Sequence, residues 1–216
     1  MDAHARHEAV VATMKLAPVI PVLTVRDVAD GVAQARALVA GGLPAIEVTL
    51  RTPAALAAIA EIAKSVRGAH VGAGTIVDPE QIDAAAKAGA KFLVSPGTSP
   101  ALAAAAVAAP IPFLPGVATP SEAMTLRALG FRALKLFPAE AVGGARLLSS
   151  LYAPIPDLVF CPTGGIDAAK APTYLALPNV LCVGGSWMLP KAALESGDYA
   201  KVEELARAAS ALNGRR

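Results

Sequence analysis

One pattern occurs eight times along the sequence, and this repetition limits the fold more than any other feature. Each repeat has a short apolar run, a turn, an alanine-rich stretch and a glycine or proline break, and the runs begin roughly 20–27 residues apart. Such alternation of strand and helix predicts a parallel sheet covered on both faces. The predicted strands are Val19–Val25, Ala45–Leu50, His70–Thr75, Phe92–Ser95, Phe113–Val117, Ala133–Phe137, Leu158–Thr163 and Val180–Gly184.

The stretches between these runs carry the signals that begin and end helices. Asp27 is a typical N-cap for the stretch that follows it, and Gly41–Gly42 ends that stretch. Prolines open several of the others at a first-turn position. The predicted helices are residues 3–15, Val28–Ala40, Ala54–Val66, Glu80–Ala88, Ala101–Ala108, Ser121–Leu129, Ala168–Ala176 and Tyr199–Leu212.

Eight strand–helix units predict an α/β protein with a closed (β/α)8 TIM barrel. We expect residues 1–17 to form an additional N-terminal helix that packs on the barrel. No shift in composition divides the chain, so residues 1–216 are predicted to be a single domain. An open doubly wound sheet is the alternative, but Pro21–Asp27 contains none of the glycines of a dinucleotide-binding turn.

The composition argues against several classes of protein. Hydrophobic residues make up 55% of the chain and charged residues 17%, which favours a large core over disorder. The net charge is only +2 and no basic run occurs, so we expect neither nucleic acid nor a membrane surface as a partner. The long uncharged stretches Phe92–Ser121 and Ala171–Pro190 are interrupted by proline or glycine, which excludes one continuous spanning helix. The N-terminus lacks a signal-peptide pattern, and we expect a cytoplasmic location.

The cysteines and histidines give no metal-binding pattern. Cys161 and Cys182 lie inside apolar runs, no CxxC occurs, and none of the three histidines is spaced to complete a zinc site. We therefore predict two reduced, buried thiols and no metal.

The run FRALKLFPAE places Lys135 in the middle of an apolar strand. Leu134 and Leu136 point to one face of the strand and Lys135 to the other. A solvated lysine on a strand edge is one interpretation. The other is a buried lysine, whose ammonium form is disfavoured by desolvation, which is useful where an amine nucleophile is needed.

The second run, AIEVTLR, also carries polar residues on one face. Its apolar residues are expected to meet the helices, so Glu47 and Thr49 are predicted to point into the barrel, with Arg51 at the rim. Barrel interiors are normally apolar, which makes this set and Lys135 a candidate functional cluster. A buried ion-pair network with a purely structural role is the alternative. Glu47 is suited to proton transfer, and Arg51 and Thr75 to holding a carboxylate.

Paired glycines follow the last two strands, in CPTGGI and CVGGSW. These are the strand ends at which this type of barrel often binds phosphate. Ser186–Leu189 is predicted to be a short helix whose N-terminal amides face the anion. Two ordinary glycine turns are the alternative. Gly72 and Gly74 are expected to allow close approach beside the site.

Six motifs in order resemble the family of 2-keto-3-deoxy-6-phosphogluconate (KDPG) aldolase and 4-hydroxy-2-oxoglutarate aldolase. The resemblance runs from Pro18 to Ala209. The motifs are Glu47–Arg51 (EVTLR), Val71–Thr75 (VGAGT), Ser95–Gly97 (SPG), Lys135–Glu140 (KLFPAE), Cys161–Ile166 (CPTGGI) and Gly184–Trp187 (GGSW).

The resemblance implies a class I aldolase without metal or cofactor, a homotrimer of the Entner–Doudoroff pathway that cleaves a phosphorylated 2-keto acid. Lys135 would form the Schiff base and Glu47 would move protons. The implied substrate contacts are Arg51 and Thr75 for the carboxylate, Pro96 and Phe137 for the pyruvyl group, Thr163 for the hydroxylated middle, and Gly164, Gly165, Gly185 and Ser186 for the phosphate.

Two other functions share part of this pattern. A phosphosugar isomerase of the phosphate-binding barrel type would use the glycine pairs but not the inward lysine. A catalytically silent sugar-phosphate-binding module could lack both Lys135 and Glu47. Leu136 and Val142 depart from residues that are frequent in the family, and both lie outside the implied catalytic set. Relatives that act on the galactonate epimer tend not to keep the threonine of CPTGG, so the resemblance implies that Thr163 favours the gluconate-derived substrate.

Overall fold

The structure, a computed structural model, describes residues 2–212. Each of the eight predicted apolar runs contains a strand or overlaps one. The fifth run is split because Pro115 has no N–H to donate and interrupts the ladder. The strands are β1 Val19–Leu23, β2 Ala45–Thr49, β3 His70–Gly74, β4 Leu93–Val94, β5 Phe113–Leu114, β6 Gly116–Val117, β7 Ala133–Leu136, β8 Val159–Pro162 and β9 Val183–Gly185.

All strand pairs are parallel, and the strands form a ring. One sheet has the order β5-β4-β3-β2-β1-β9 and a second has the order β6-β7-β8. The two sheets are continuous through Pro115 at one junction. At the other junction, parallel bridges join Phe160 to Val180 and Thr163 to Gly184. The predicted (β/α)8 barrel is therefore confirmed, and the open sheet is excluded.

The helices form the outer layer, and most begin and end within two residues of their predicted limits. Asp27 caps α2 by accepting a hydrogen bond from the Asp30 N–H, and Thr119 and Glu122 form a capping box at α6. No described helix is long and apolar enough to cross a membrane. The helices are α1 Ala3–Met14, α2 Val28–Ala40, α3 Ala55–Ser65, α4 Glu80–Lys87, α5 Pro100–Val107, α6 Pro120–Ala128, α7 Gly144–Tyr152, α8 Ala171–Leu175, α9 Lys191–Ser196 and α10 Tyr199–Ser210, with a 3-10 turn at Glu140–Val142.

The sequence prediction was wrong at three helices. The predicted helix Ala168–Ala176 begins only at Ala171, because Pro172 is tolerated only in a first turn. The two short helices α7 and α9 were not predicted. Two glycines with positive φ, Gly143 and Gly144, stand at the start of α7 and conceal its apolar face in the sequence.

The helix α1 lies across the N-terminal end of the barrel. Val10 and Met14 of α1 pack with small and apolar residues from the first half of the strands, such as Ala45 and Ala133. Thr13 Oγ1 lies 3.1 Å from Nε2 of His70, the first residue of β3. The apolar interior is thus closed at this end, which leaves the C-terminal strand ends as the accessible end of the barrel.

Candidate active site

Lys135 and Glu47 form a buried ion pair inside the barrel. Lys135 is the third residue of β7 and Glu47 the third of β2. Lys135 Nζ donates to both carboxylate oxygens, at 3.1 and 3.3 Å, and the two side chains are 6% and 4% exposed. Desolvating two charges costs more than such a pair usually returns in stability. The pair therefore indicates a functional rather than a structural cluster.

A glycine on β3, Gly74, makes room for the Glu47 carboxylate. Thr49 and Gly74 are register partners on β2 and β3. A Cβ atom on Gly74 would lie only 2.1 Å from Glu47 Oε1. Thr49 is buried, but its hydroxyl donates to the Leu23 carbonyl of β1 at 2.7 Å. Gly74 thus permits the carboxylate position, while Thr49 ties the ends of β1 and β2 together.

Arg51 and Thr75 meet at the rim of the barrel. Arg51 Nε donates to Thr75 Oγ1 at 3.2 Å, and Arg51 is exposed. Thr75 has φ of 61°, a strained value for a β-branched residue and, among the described residues, the only positive φ outside glycine. The two side chains contact each other rather than Lys135. They offer a guanidinium and a hydroxyl directly above the Glu47 strand.

Pro96 and Phe137 flank the lysine. Phe137 is two residues beyond Lys135, and its ring centre lies 5.5 Å from Lys135 Nζ. Pro96 follows β4, and a Cβ atom on Gly116 would lie 2.5 Å from its carbonyl carbon. Gly116 is the register partner of Lys135. Both predicted residues are half-buried and adjoin the interior near the lysine.

Sequence reasoning missed the part played by Ser95. This residue is fully buried, and its hydroxyl accepts a hydrogen bond from the Gly116 N–H at 2.9 Å. Ser95 thereby fixes the backbone beside Lys135. A serine between an apolar strand and a Pro-Gly pair was the available signal, since such a position can reach a neighbouring strand end.

The turn after β8 lies beside the last residues of β9, and a bridge joins Thr163 to Gly184. Thr163 is buried, and a Cβ atom on Gly184 would lie 2.2 Å from its hydroxyl oxygen. Gly164 and Gly165 have φ of 105° and 77°, which only glycine adopts readily. Gly164 also adjoins the Phe137 ring, since its Cβ atom would lie 3.3 Å from that ring. The structure therefore brings the first glycine pair next to the lysine strand.

The second glycine pair differs from its prediction, because Gly184 and Gly185 are the last two residues of β9 and do not form a turn after it. The expected helix Ser186–Leu189 is a single turn, in which the Leu189 N–H donates to the Ser186 carbonyl at 2.9 Å. Pro190, which cannot donate a hydrogen bond, follows immediately and prevents a second turn. Ser186 is exposed, and Gly185 lies under Trp187, whose ring would be 2.0 Å from a Cβ atom there. No helix N-terminus is available at this position.

A second group of polar residues, not predicted from the sequence, braces the first glycine turn. Glu140 accepts hydrogen bonds from the Tyr174 hydroxyl and from Lys170 Nζ, the latter at 2.8 Å. The Lys170 hydrogen bond, with that of Tyr174, lowers the pKa of Glu140. Burial and the Glu140 carboxylate raise the pKa of Tyr174. An acidic residue in the loop after β7 was the only sequence signal.

The two cysteines are free and buried, as predicted. The hydrogen bond with Cys161, together with burial, raises the pKa of the Cys182 thiol. Among residues 2–212, no group of three or more histidine, cysteine or carboxylate side chains is placed to hold a metal ion. The chemistry available to the site is that of a buried amine next to a carboxylate, which suits imine formation with a carbonyl compound.

Comparison with known proteins places this fold and site in a family. The family model described as "Aldolase: KDPG and KHG aldolase" matches residues 10–205. The chain is 48% identical over 193 residues to the 2-dehydro-3-deoxy-phosphogluconate aldolase of Pseudomonas aeruginosa, covering 89% of this chain and 88% of that protein. It is 48% identical over 192 residues to the KHG/KDPG aldolase of Escherichia coli, covering 89% and 90%.

Solved structures agree with the sequence relatives. The KDPG aldolase of Legionella pneumophila, with pyruvate captured as a covalent carbinolamine intermediate, superposes with a TM-score of 0.91 at 40% identity, covering 93% of this chain and 98% of that one. The 2-keto-3-deoxy-6-phospho-gluconate aldolase of Zymomonas mobilis superposes with a TM-score of 0.90 at 48% identity, covering 94% and 97%. The chain belongs to the KDPG and KHG aldolase family.

Proposed function

We propose that this protein is a class I aldolase that cleaves 2-keto-3-deoxy-6-phosphogluconate to pyruvate and glyceraldehyde 3-phosphate. The buried contact between Lys135 Nζ and the Glu47 carboxylate carries this proposal, together with membership of the aldolase family. A phosphosugar isomerase has no use for such an amine, and a binding module needs neither member of the pair. Because 4-hydroxy-2-oxoglutarate presents the same 2-keto acid end, the enzyme acts on it as well.

The reaction begins with a proton transfer from Lys135 Nζ to Glu47, which frees the amine lone pair. Nζ attacks the substrate C2 carbonyl, and Glu47 passes its proton to the oxygen and takes one from Nζ, which gives the carbinolamine. Glu47 returns that proton to the departing hydroxyl, so loss of water leaves the protonated imine and an ionised Glu47. Glu47 then removes the proton of the C4 hydroxyl as the C3–C4 bond breaks, which releases the aldehyde and leaves an enamine. Protonation of C3 and addition of water return pyruvate and the free lysine.

The remaining residues bind the substrate around this lysine. Arg51 and Thr75 hold the carboxylate, which a guanidinium can bind with two parallel hydrogen bonds. Pro96 and Phe137 line the pyruvyl pocket, and Thr163 contacts the hydroxylated middle of the substrate. The phosphate binds to the backbone of the glycine turns and to Ser186. This set is Gly164, Gly165, Gly185 and Ser186.

Family membership supports a proposal about the wider context of the enzyme. We propose a cytoplasmic homotrimer that acts in the Entner–Doudoroff pathway. That residues 1–216, including the N-terminal helix 1–17, make up one domain stays a prediction.

Borohydride trapping tests the proposal. With pyruvate present, reduction is expected to fix a pyruvyl adduct on the tryptic peptide that contains Lys135, as read by mass spectrometry. Absence of an adduct would refute the Schiff-base role. A pyruvate-release assay with the phosphogluconate-derived, phosphogalactonate-derived and 4-hydroxy-2-oxoglutarate substrates then ranks the activities. An isomerase or a binding module releases no pyruvate from any of them.

A further inference from the structure

Three successive backbone carbonyls in the turn after β8 accept hydrogen bonds. Two of the donors lie in the loop after β7, and the third is the side chain of Lys170, directly before α8. The Thr163 carbonyl accepts from the Ala139 N–H at 2.8 Å, and the Gly164 carbonyl accepts from the Glu140 N–H at 3.1 Å. The Gly165 carbonyl accepts from Lys170 Nζ at 2.9 Å. Each of these peptide planes is therefore fixed at its oxygen.

Fixing the oxygens determines where the N–H groups point. A trans peptide plane directs its N–H opposite to its C=O, so the three held carbonyls orient the N–H groups of Gly164, Gly165 and Ile166. Within the described part of the chain, none of these three N–H groups meets an acceptor. Successive free N–H groups in such a turn form an anion-binding concavity.

The third carbonyl differs from the other two because a side chain holds it. Lys170 Nζ lies between the Gly165 carbonyl and Glu140 Oε2, which it contacts at 2.8 Å. Glu140 is held in turn by the hydroxyl of Tyr174, whose residue is 2% exposed. Glu140 also packs directly on the turn, since a Cβ atom on Gly165 would lie 2.8 Å from its Cγ. A buried tyrosine thus anchors a carboxylate, and the carboxylate anchors the lysine.

We propose that Lys170, held by Glu140 and Tyr174, is a positioning residue that fixes the Gly165–Ile166 peptide and thereby sets the affinity for the substrate phosphate. This role rests on the proposed aldolase function. Lys170 does not touch the reacting carbons, so its loss weakens binding of the phosphorylated substrate without slowing the chemical step. It also leaves substrates that carry no phosphate largely unaffected.

Steady-state kinetics on two substrates test this role. In Lys170→Met, KM for the phosphorylated substrate is expected to rise about threefold to tenfold with kcat unchanged, because the lost hydrogen bond to the Gly165 carbonyl comes from a partly exposed side chain. KM for 4-hydroxy-2-oxoglutarate, which has no phosphate, is expected to change less than about twofold. Lys201→Met is the matched control, because Lys201 is as exposed as Lys170, at 44% and 45%, and pairs with Glu204 at 2.7 Å.

A double variant separates positioning from simple charge. Lys170→Met leaves the Glu140 carboxylate beside the phosphate without its counter-charge, and Glu140→Gln/Lys170→Met removes both charges. Positioning predicts that KM for the phosphorylated substrate stays high in the double variant. Recovery to the wild-type KM overturns the proposal, because charge neutralisation alone would then explain the effect.

The outcomes also separate this proposal from the proposed function. If the wild-type protein releases pyruvate from neither substrate, the aldolase function fails. If the wild type is active and Lys170→Met changes both substrates equally, or changes kcat instead of KM, only the positioning role is overturned. Should Lys170→Met fail to fold, as read by thermal unfolding, Lys170→Leu supplies the same test, since its side chain also carries no donor for the Gly165 carbonyl.

Discussion

The two ends of the barrel interior are built from the same strands but hold opposite kinds of side chain. On β2, Ala45 faces the interior near the N-terminal end and Glu47 faces it one step further on. On β7, Ala133 and Lys135 stand in the same relation. The N-terminal layer is apolar and closed by α1, whereas the next layer holds the ion pair. Two positions further along each strand, an alanine that packs in the core is thus followed by a charged residue of the candidate site.

Two glycines on β3 show the difference most directly. A Cβ atom on Gly72 would lie 2.5 Å from the Phe92 ring, and one on Gly74 would lie 2.1 Å from Glu47 Oε1. Both glycines admit a larger neighbour, but Gly72 admits an aromatic ring that fills the core and Gly74 admits a carboxylate. Close packing therefore serves stability at one end of the barrel and the placement of a reactive group at the other. Four predictions test it.

Loss of the lysine gives the largest effect. Lys135→Met removes the nucleophile while keeping most of the side-chain volume, and pyruvate release is expected to fall by at least ~10⁴-fold. It also leaves Glu47 buried without a partner, which costs about 3–5 kcal/mol of unfolding free energy at neutral pH. Lys135→Met/Glu47→Gln is expected to be more stable than Lys135→Met in urea titrations. Full activity in Lys135→Met would show that the layer of Lys135 and Glu47 does not carry the chemistry.

Loss of the carboxylate gives the next largest effect. In Glu47→Gln, kcat is expected to fall by about 10²–10⁴-fold, because proton transfer loses its acid–base group. Borohydride trapping with pyruvate is still expected to label Lys135, at a lower rate. A variant with unchanged kcat would show that another group moves the protons.

Substitutions of the two β3 glycines separate an effect on activity from an effect on stability. In Gly74→Ala, the displaced carboxylate is expected to lower kcat by about 10²-fold, the size of effect that a misplacement of about 1 Å produces. In Gly72→Ala, overpacking against Phe92 is expected to lower the unfolding free energy by about 1–3 kcal/mol.

Gly97→Ala is the control for both glycine variants, since a Cβ atom there meets nothing within 4 Å. Kinetics and urea titrations on all three variants give the comparison. Equal losses of activity in Gly72→Ala and Gly74→Ala would mean that the two layers are not functionally distinct.

The smallest expected effect is on the pH dependence of the unfolding free energy, through a histidine at the N-terminal end of the barrel. Burial, and to a lesser extent Lys91, lowers the pKa of His70, which stacks on Phe92. The folded protein therefore binds fewer protons than the unfolded chain, so the unfolding free energy decreases as the pH falls below about 6.5, the unfolded value. His7 acts in the same direction, because burial lowers its pKa as well.

Urea titrations between pH 5 and pH 8 check this effect. His70→Asn is expected to flatten part of the pH dependence and to leave kcat at pH 8 unchanged. His4→Asn, at an exposed position on α1, serves as the control. An unaltered slope in His70→Asn would show that His70 is not a source of the pH dependence.

Much of the fold followed from the sequence because its signals are local. The apolar runs, the cap at Asp27 and the first-turn proline Pro120 act within a few residues of chain. The helices α7 and α9 were missed because glycines and a proline beside them outweigh their short apolar faces. The turn at Ser186 was predicted as a helix because barrels of this type often carry a short extra helix at this position. Pro190 limits it to one turn.

The candidate site also has residues that local signals predicted and residues that they did not. Alternation along β2 and β7 was enough to direct Glu47 and Lys135 inward. The support from Ser95, and the brace formed by Glu140, Lys170 and Tyr174, join side chains to loops that the sequence does not place side by side. Their distances in sequence leave no periodic signal.

Local sequence signals were enough to specify the number of strand–helix units, the faces of the strands and the glycines that permit close approach. That Lys135 and Glu47, 88 residues apart, meet at hydrogen-bond distance is visible only in the folded barrel. Face and helix signals come from neighbouring residues and are therefore visible in the chain. Register and closure of the barrel depend on packing between distant segments, and these bring the amine and the carboxylate of β7 and β2 into one buried pair.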